Sequence, residues 1–136
     1  MLEQVLEKNP DTVKVAFKNF PIGSHKFAVK AAIAALAADS EGKFWEFHDA
    51  LFQNYNRLTD QKIDEIAVAV GLDPPKFNAK VKDPELAQRV RKDAMEGRLV
   101  GVKGTPTIFI NGRRLTDRSP QGFQAAVDRA LQKGVK

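Results

Sequence analysis

The segment from Thr107 to Leu115 restricts the fold more than any other part of this 136-residue chain. Thr107-Ile108-Phe109-Ile110 is a short apolar run, and Asn111-Gly112 follows it directly. An Asn-Gly pair favours the two-residue turn between antiparallel strands, because both residues tolerate a positive φ. Arg113-Arg114-Leu115 begins the returning strand. The sequence therefore predicts a β-hairpin near the C-terminal end.

A further strand is predicted at residues 12–18. Val13, Val15 and Phe17 alternate with Lys14 and Lys18, a pattern typical of a strand with one covered face. With the hairpin this makes only three strands, which is a small sheet for a chain of this length. Strand 12–18 also has no obvious neighbour in the sequence.

The remaining segments have helical patterns of apolar residues. Helices are predicted over residues 2–8, from Ser24 as N-cap through the Ala-rich stretch, over 44–55, from Thr59 or Asp60 to Gly71, from Asp73-Pro74 to about 81, from Asp83-Pro84 to about 99, and from Ser119-Pro120 onwards. In the Ala-rich helix, Val29, Ile33 and Leu36 form the expected buried stripe. A small sheet with a helical block between its strands predicts an α/β or α+β layer architecture.

Aromatic residues are concentrated in the helix that begins at Phe44. Their spacing is helical, which favours a buried core over a ligand pocket. The residues concerned are Phe44, Trp45, Phe47, Phe52 and Tyr55, with His48 and Leu51 on the same stripe.

The chain contains no cysteine. This excludes disulfides, thiolate metal sites, iron–sulfur clusters and cysteine-based catalysis within these 136 residues.

The net charge is +5, and most of it lies between Arg98 and Arg118, a stretch that contains five basic residues and one acidic residue. No aromatic side chains alternate with these arginines, so nucleic-acid binding is not favoured over a solvated basic hairpin. No apolar run approaches the roughly 20 residues of a membrane span. Met1-Leu2-Glu3 opens an amphipathic segment and does not resemble a secretory leader.

Few residues suggest chemistry by themselves. His48 is interpreted as a core or boundary residue and His25 as a loop contact, since neither has a convincing set of further metal ligands. His48 and Asp49 are not expected to orient each other, because adjacent helical side chains point roughly 100° apart. For Pro106, the pattern alone favours an ordinary trans proline.

Four segments together resemble the DsbA-like branch of the thioredoxin superfamily of thiol:disulfide oxidoreductases. They occur in the family's order over nearly the whole chain, and the second and fourth are quite specific. The segments are residues 17–21 (FKNFP) with His25, residues 44–52 (FWEFHDALF), residues 71–73 (GLD), and residues 101–107 (GVKGTPT) running into Asn111-Gly112.

This resemblance implies one thioredoxin-like α/β domain over residues 1–136, with a helical insertion at about 24–100. It implies that Pro106 is the family's cis-proline, and that the backbone of Thr105 contacts a substrate peptide. Thr105 and Pro106 are thus the predicted substrate-binding residues. No catalytic residue, metal site or cofactor is predicted for this chain.

The chain departs from the family at its beginning. Residues 2–8 correspond to the later part of the family's first helix, so the central strand and the Cys-x-x-Cys motif are expected upstream of Met1. Truncation, a misplaced start and a genuine variant all remain open. The missing strand would lie between strand 12–18 and the hairpin, leaving unpaired edges. We therefore expect a homo-oligomer that restores the sheet by strand exchange.

Three functions remain open. The chain is a DsbA-family domain without redox activity, a peptide-binding or scaffold module that uses the cis-proline groove, or a fragment of an active oxidoreductase. An unfolded or extended peptide is the expected partner; membrane binding is not expected. Family members are typically exported, but the sequence does not assign a compartment.

Overall fold

The computed structural model describes residues 2–134. Its elements are α1 (Leu2–Lys8), α2 (Ala28–Asp39), α3 (Phe44–Gln53), a 3₁₀ turn (Tyr55–Arg57), α4 (Asp60–Ala69), α5 (Pro74–Lys80), α6 (Pro84–Leu99), β1 (Phe109–Ile110), β2 (Arg113–Arg114) and α7 (Pro120–Gly134). These elements form two compact units. The hairpin unit comprises residues 2–17 and 104–134 of the described chain, and the helical unit comprises residues 18–103.

Three of the predicted helix starts in the helical unit are confirmed by their caps. The side-chain oxygens of Thr59, Asp73 and Asp83 accept hydrogen bonds from backbone amides in the first turns of α4, α5 and α6. These bonds satisfy amides that have no partner within the helix. At the other end of α4, Gly71 has the left-handed φ of 85° that favours glycine after a helix.

The start and buried face of α2 differ from the prediction. The helix begins at Ala28, after turns closed by the amides of His25 and Ala28, and Ser24 is not its N-cap. Leu36 is buried and Ile33 packs on the core, as predicted, but Val29 is half exposed. Ala34, Ala37 and neighbouring alanines are buried as well. Because alanine has a small side chain, this face lets α3 and α6 approach the α2 backbone closely.

A buried carboxylate holds the first residues of the helical unit against α6. Asp93 Oδ2 accepts hydrogen bonds from the backbone amide of Asn19 at 3.0 Å and from Asn19 Nδ2 at 2.9 Å. The ammonium of Lys18 lies 3.7 Å from Asp93 Oδ1, but its side chain is 68% exposed. The chain is therefore fixed here mainly by the two buried bonds from Asn19.

In the hairpin unit the predicted β-hairpin is confirmed. Phe109 pairs with Arg114 and Ile110 with Arg113 in antiparallel register. Asn111 and Gly112 have φ values of 47° and 79°, as the tight turn requires. The hairpin packs on α7, and α1 packs on α7 as well. The shared core consists of Val5, Leu115, Phe123 and Val127.

The predicted strand at residues 12–18 is not formed in the described structure. Burial does alternate, since Val13 and Val15 are half-buried while Lys14 and Ala16 are exposed. However, no neighbouring strand pairs with this segment, and the sheet consists of β1 and β2. Phe17, predicted to share the covered face, is 41% exposed. The sequence pattern therefore predicted the alternating burial correctly, but alternation alone does not show whether a neighbouring strand is present to pair with the segment.

Candidate functional site

The candidate site is the loop at residues 104–107, which leads into β1. The peptide bond between Thr105 and Pro106 is cis. Thr107 Oγ1 donates a 2.7 Å hydrogen bond to the carbonyl of Gly104 and so closes the loop across these two residues. The sequence pattern alone favoured a trans proline, whereas the family resemblance implied the cis form.

Thr105 and Pro106, the two predicted site residues, lie side by side on the surface. Within residues 2–134, neither the amide nor the carbonyl of Thr105 makes a hydrogen bond. Backbone polar groups are strong donors and acceptors that normally find partners. The loop therefore offers one donor and one acceptor to an approaching molecule.

Arg118 is a part of this loop's support that sequence reasoning missed. Its Nη1 donates a 2.9 Å hydrogen bond to the carbonyl of Pro106, twelve residues earlier. The bond occupies the Pro106 acceptor and links the loop to the segment preceding α7. No local pattern distinguished Arg118 from the other basic residues of the strip.

The start of α7 is fixed beside Arg118. Asp117 Oδ1 accepts the amide of Ser119 at 3.0 Å, and Ser119 Oγ accepts the amide of Gly122 at 3.0 Å. Hydrogen bonds from the side chain and then the backbone of Ser119 hold the pKa of Asp117 below its usual range. The carboxylate is therefore held in its ionised form within the turn at the start of α7.

A basic groove lies between the hairpin and α7. Its volume is about 720 Å³, and Arg113, Arg129 and Lys133 are among the residues that line it. Aromatic side chains are absent from its described lining. The groove thus lacks the stacking platforms of single-stranded nucleic-acid sites.

The aromatic residues of α3 correct one prediction. Phe47 is fully buried and belongs to the core, but Trp45, Phe52 and Tyr55 are 45%, 64% and 76% exposed. The ring of His48 lies 5.4 Å from that of Trp45 and 4.6 Å from that of Phe52. Three of the five aromatic residues predicted for the core therefore lie at the surface of the helical unit, and two of them, Trp45 and Phe52, contact the ring of His48 there.

His48 and Asp49 also contact each other, contrary to prediction. His48 Nδ1 lies 3.2 Å from Asp49 Oδ1, although the two residues are adjacent in α3. His25 is exposed in the turns before α2. Among the described residues no group of three potential metal ligands occurs. The chemistry open to the Thr105 loop is therefore main-chain hydrogen bonding.

Comparison with known proteins defines the class to which this fold and loop belong. A family model for the DSBA-like thioredoxin domain matches residues 1–128. The chain belongs to this family. The predicted thioredoxin-like α/β fold with a helical insert is confirmed.

Two solved structures share this fold. A thioredoxin-like oxidoreductase from Silicibacter pomeroyi DSS-3 superposes with a TM-score of 0.85 at 26% identity, covering 96% of this chain and 75% of that one. The thiol-disulfide exchange protein alpha-DsbA2 from Wolbachia pipientis gives a TM-score of 0.79 at 26% identity, covering 94% and 72%.

A relative in sequence is the Na(+)/H(+) antiporter NhaA 3 of Salinispora tropica. It is 36% identical over 104 residues, which are 76% of this chain but 16% of the antiporter. In residues 2–134 of the present chain, no helix has both the length and the apolar character needed to cross a membrane.

Proposed function

We propose that this domain binds extended polypeptide segments through the main chain of Thr105 and does not itself catalyse thiol–disulfide exchange. The observation that carries the proposal is the position of Thr105, an exposed residue whose main-chain amide and carbonyl have no partner within the described residues. An extended peptide can satisfy both groups as a strand does when it joins a sheet edge.

The loop is held in place for such an encounter. Thr107 and Arg118 fix the carbonyls on either side of Thr105, those of Gly104 and Pro106. Because neither bond uses Thr105 itself, the loop is positioned while its central donor and acceptor stay open. Less ordering is then required when a peptide binds.

The absence of thiol chemistry follows from composition. Disulfide exchange proceeds by attack of a thiolate on a disulfide sulfur, and this chain has no cysteine to supply one. We expect an insulin-reduction assay with dithiothreitol to give the same rate with and without the protein. Turnover above the dithiothreitol background would refute this part of the proposal.

Peptide binding is tested with a fluorescein-labelled, cysteine-free octapeptide rich in Val and Thr, followed by anisotropy. Proline fixes φ, so replacing Pro106 with alanine frees the loop beside Thr105. We expect Pro106→Ala to weaken binding about fivefold, as for the loss of one hydrogen bond of about 1 kcal/mol. The matched control is Pro120→Ala, which alters an exposed proline at the start of α7.

The outcomes are distinct. Weaker binding by Pro106→Ala but unchanged binding by Pro120→Ala supports the proposal. Equal affinities for all three proteins, or no binding by the parent domain, would refute it.

A second candidate is that these residues form part of an active oxidoreductase. It is favoured by the coverage of the two solved structures, since this chain corresponds to 75% and 72% of their lengths. The genomic sequence upstream of Met1 tests it directly. In-frame codons for a strand followed by Cys-x-x-Cys would establish this candidate, and their absence would exclude it.

A further inference from the structure

The extended segment at residues 13–17 has unpaired backbone at its centre. Lys14, Val15 and Ala16 make no main-chain hydrogen bond to any described residue. The side chain of Val13 packs on the core of the hairpin unit. The segment is therefore anchored at one end, and its central main-chain donors and acceptors have no partners among the described residues, as on an edge strand.

β1 presents a second open edge in the same unit. The amide of Leu115 donates to the carbonyl of Ile108 at 2.8 Å, so Ile108 and Leu115 form a hydrogen-bonded pair. Such pairs alternate along an antiparallel ladder. Phe109 and Arg114 form the next pair along the ladder after Ile108 and Leu115. The amide and carbonyl of Phe109 therefore point away from β2. Phe109 is also 40% exposed.

The sequence of residues 13–17 is complementary to itself in antiparallel orientation. If two copies pair with Val15 opposite Val15, then Val13 lies opposite Phe17 on the same face. On the other face Lys14 lies opposite Ala16. This register places apolar residues against apolar residues and brings no like charges into opposition.

We propose that residues 13–17 pair with the same segment of a second copy of this chain, antiparallel and centred on Val15. The interface is isologous, since each copy contributes the same segment. The Val13 amide already donates to the Asn9 carbonyl. Because alternate residues of a strand direct their main-chain groups to opposite edges, Lys14 of one copy and Ala16 of the other exchange the main-chain bonds, and the symmetric register supplies the specificity. This proposal is independent of peptide binding at Thr105.

Ala16 offers a test that spares the core, because its side chain is exposed. In the proposed register Ala16→Lys places a lysine opposite Lys14 twice by symmetry, whereas Ala16→Glu places a carboxylate there. At about 0.5 kcal/mol per cross-strand pair, each change shifts the dimer dissociation constant about fivefold. Ala16→Lys weakens the dimer, and Ala16→Glu strengthens it.

The measurement is sedimentation equilibrium of the full chain over a range of micromolar concentrations. Lys14→Glu combined with Ala16→Lys restores the opposite charges, and we expect it to recover the affinity that Ala16→Lys loses. Circular dichroism confirms that each variant retains the parent helical content.

The proposal is supported by a dimer with opposite responses to the two single substitutions and recovery in the double variant. A monomer at every concentration would overturn it. A dimer whose affinity is the same in all four proteins would also overturn it, because association would then use another surface.

Discussion

Removal of the Asp93 carboxylate should destabilise the domain more than its single charge suggests. Asp93 is 7% exposed and accepts both the amide and the side chain of Asn19, 74 residues away in the sequence. Asn19 itself is 4% exposed. Asp93→Ala would therefore leave two buried N–H donors without their acceptor.

The expected magnitude follows from this geometry. A hydrogen bond to a charged group contributes roughly 1.5–3 kcal/mol, and the two bonds share one oxygen, so their sum is not reached. We expect Asp93→Ala to lower the free energy of unfolding by about 3 kcal/mol. Asp93→Asn retains a neutral acceptor and should lose about half as much.

Lys18→Ala is the matched control for the charge. Lys18 is 68% exposed, and its ammonium lies 3.7 Å from Asp93. Exposed ion pairs contribute little, so this variant should lose less than about 0.5 kcal/mol. A large loss here would show that the ion pair, and not the buried bonds, holds the segment.

Urea unfolding followed by circular dichroism measures all three variants. With a slope of about 1–3 kcal/mol per molar urea, a loss of 3 kcal/mol lowers the midpoint by roughly 1–3 M. Amide exchange at Asn19 should accelerate in Asp93→Ala under native conditions. A loss below about 1 kcal/mol, with unchanged exchange at Asn19, would refute the reasoning.

Three further predictions concern the helical unit. Phe47→Ala should destabilise by about 3–5 kcal/mol in urea unfolding, while Phe52→Ala, on the same helix but 64% exposed, should lose under about 1 kcal/mol; equal losses would contradict the observed burial. Thr59→Ala removes the acceptor for the Lys62 amide and should lose about 1 kcal/mol, whereas Thr59→Ser should retain most of it. Hydrogen bonds from the Glu85 backbone and then from Lys80 lower the pKa of Asp83, so its stabilising contribution is present above the unfolded pKa of about 3.9 and is lost as the pH falls through the lower folded value. Asp83→Asn should accordingly be less stable than the parent at pH 7, and the difference should shrink as the pH falls below about 3.9; a difference that does not change with pH would contradict the assignment.

The sequence was most informative where structure depends on neighbouring residues. Thr59, Asp73 and Asp83 were identified as candidate caps because a cap bonds to an amide two or three residues further on. Asn111-Gly112 predicted the hairpin because a two-residue turn is specified by its own φ angles. Neither inference needed to know what lies across the core.

Prediction failed where the outcome depends on distant elements. The helical stripe of α3 is the same for Phe47 and Phe52, but only Phe47 is buried, with its ring 5.7 Å from that of Phe77. Phe52 contacts the ring of His48 and is still 64% exposed. Similarly, the alanines of α2 are buried because other helices pack there, although Val29 is more hydrophobic. Periodicity indicates which residues share a face, but it does not show how far the covering elements extend.

The candidate site also combines features that the sequence indicated with features that depend on distant residues. The resemblance identified Thr105 and Pro106, whereas the Arg118 bond joins residues twelve positions apart and follows no motif. The open amide and carbonyl of Thr105 could be recognised only after every described partner had been assigned. A main-chain binding site has no side-chain signature, so composition and spacing could locate the loop without showing what it exposes.

The two proposed interactions use different main-chain groups, and this makes them separable. Peptide binding requires the amide and carbonyl of Thr105, whereas self-pairing requires those of Lys14 and Ala16. The Ala16→Lys variant, weakened as a dimer, should therefore bind the octapeptide with the affinity of the parent. If its peptide affinity changed in step with its dimer affinity, the peptide would be joining the edge at residues 14–16, and Thr105 would not be the binding site.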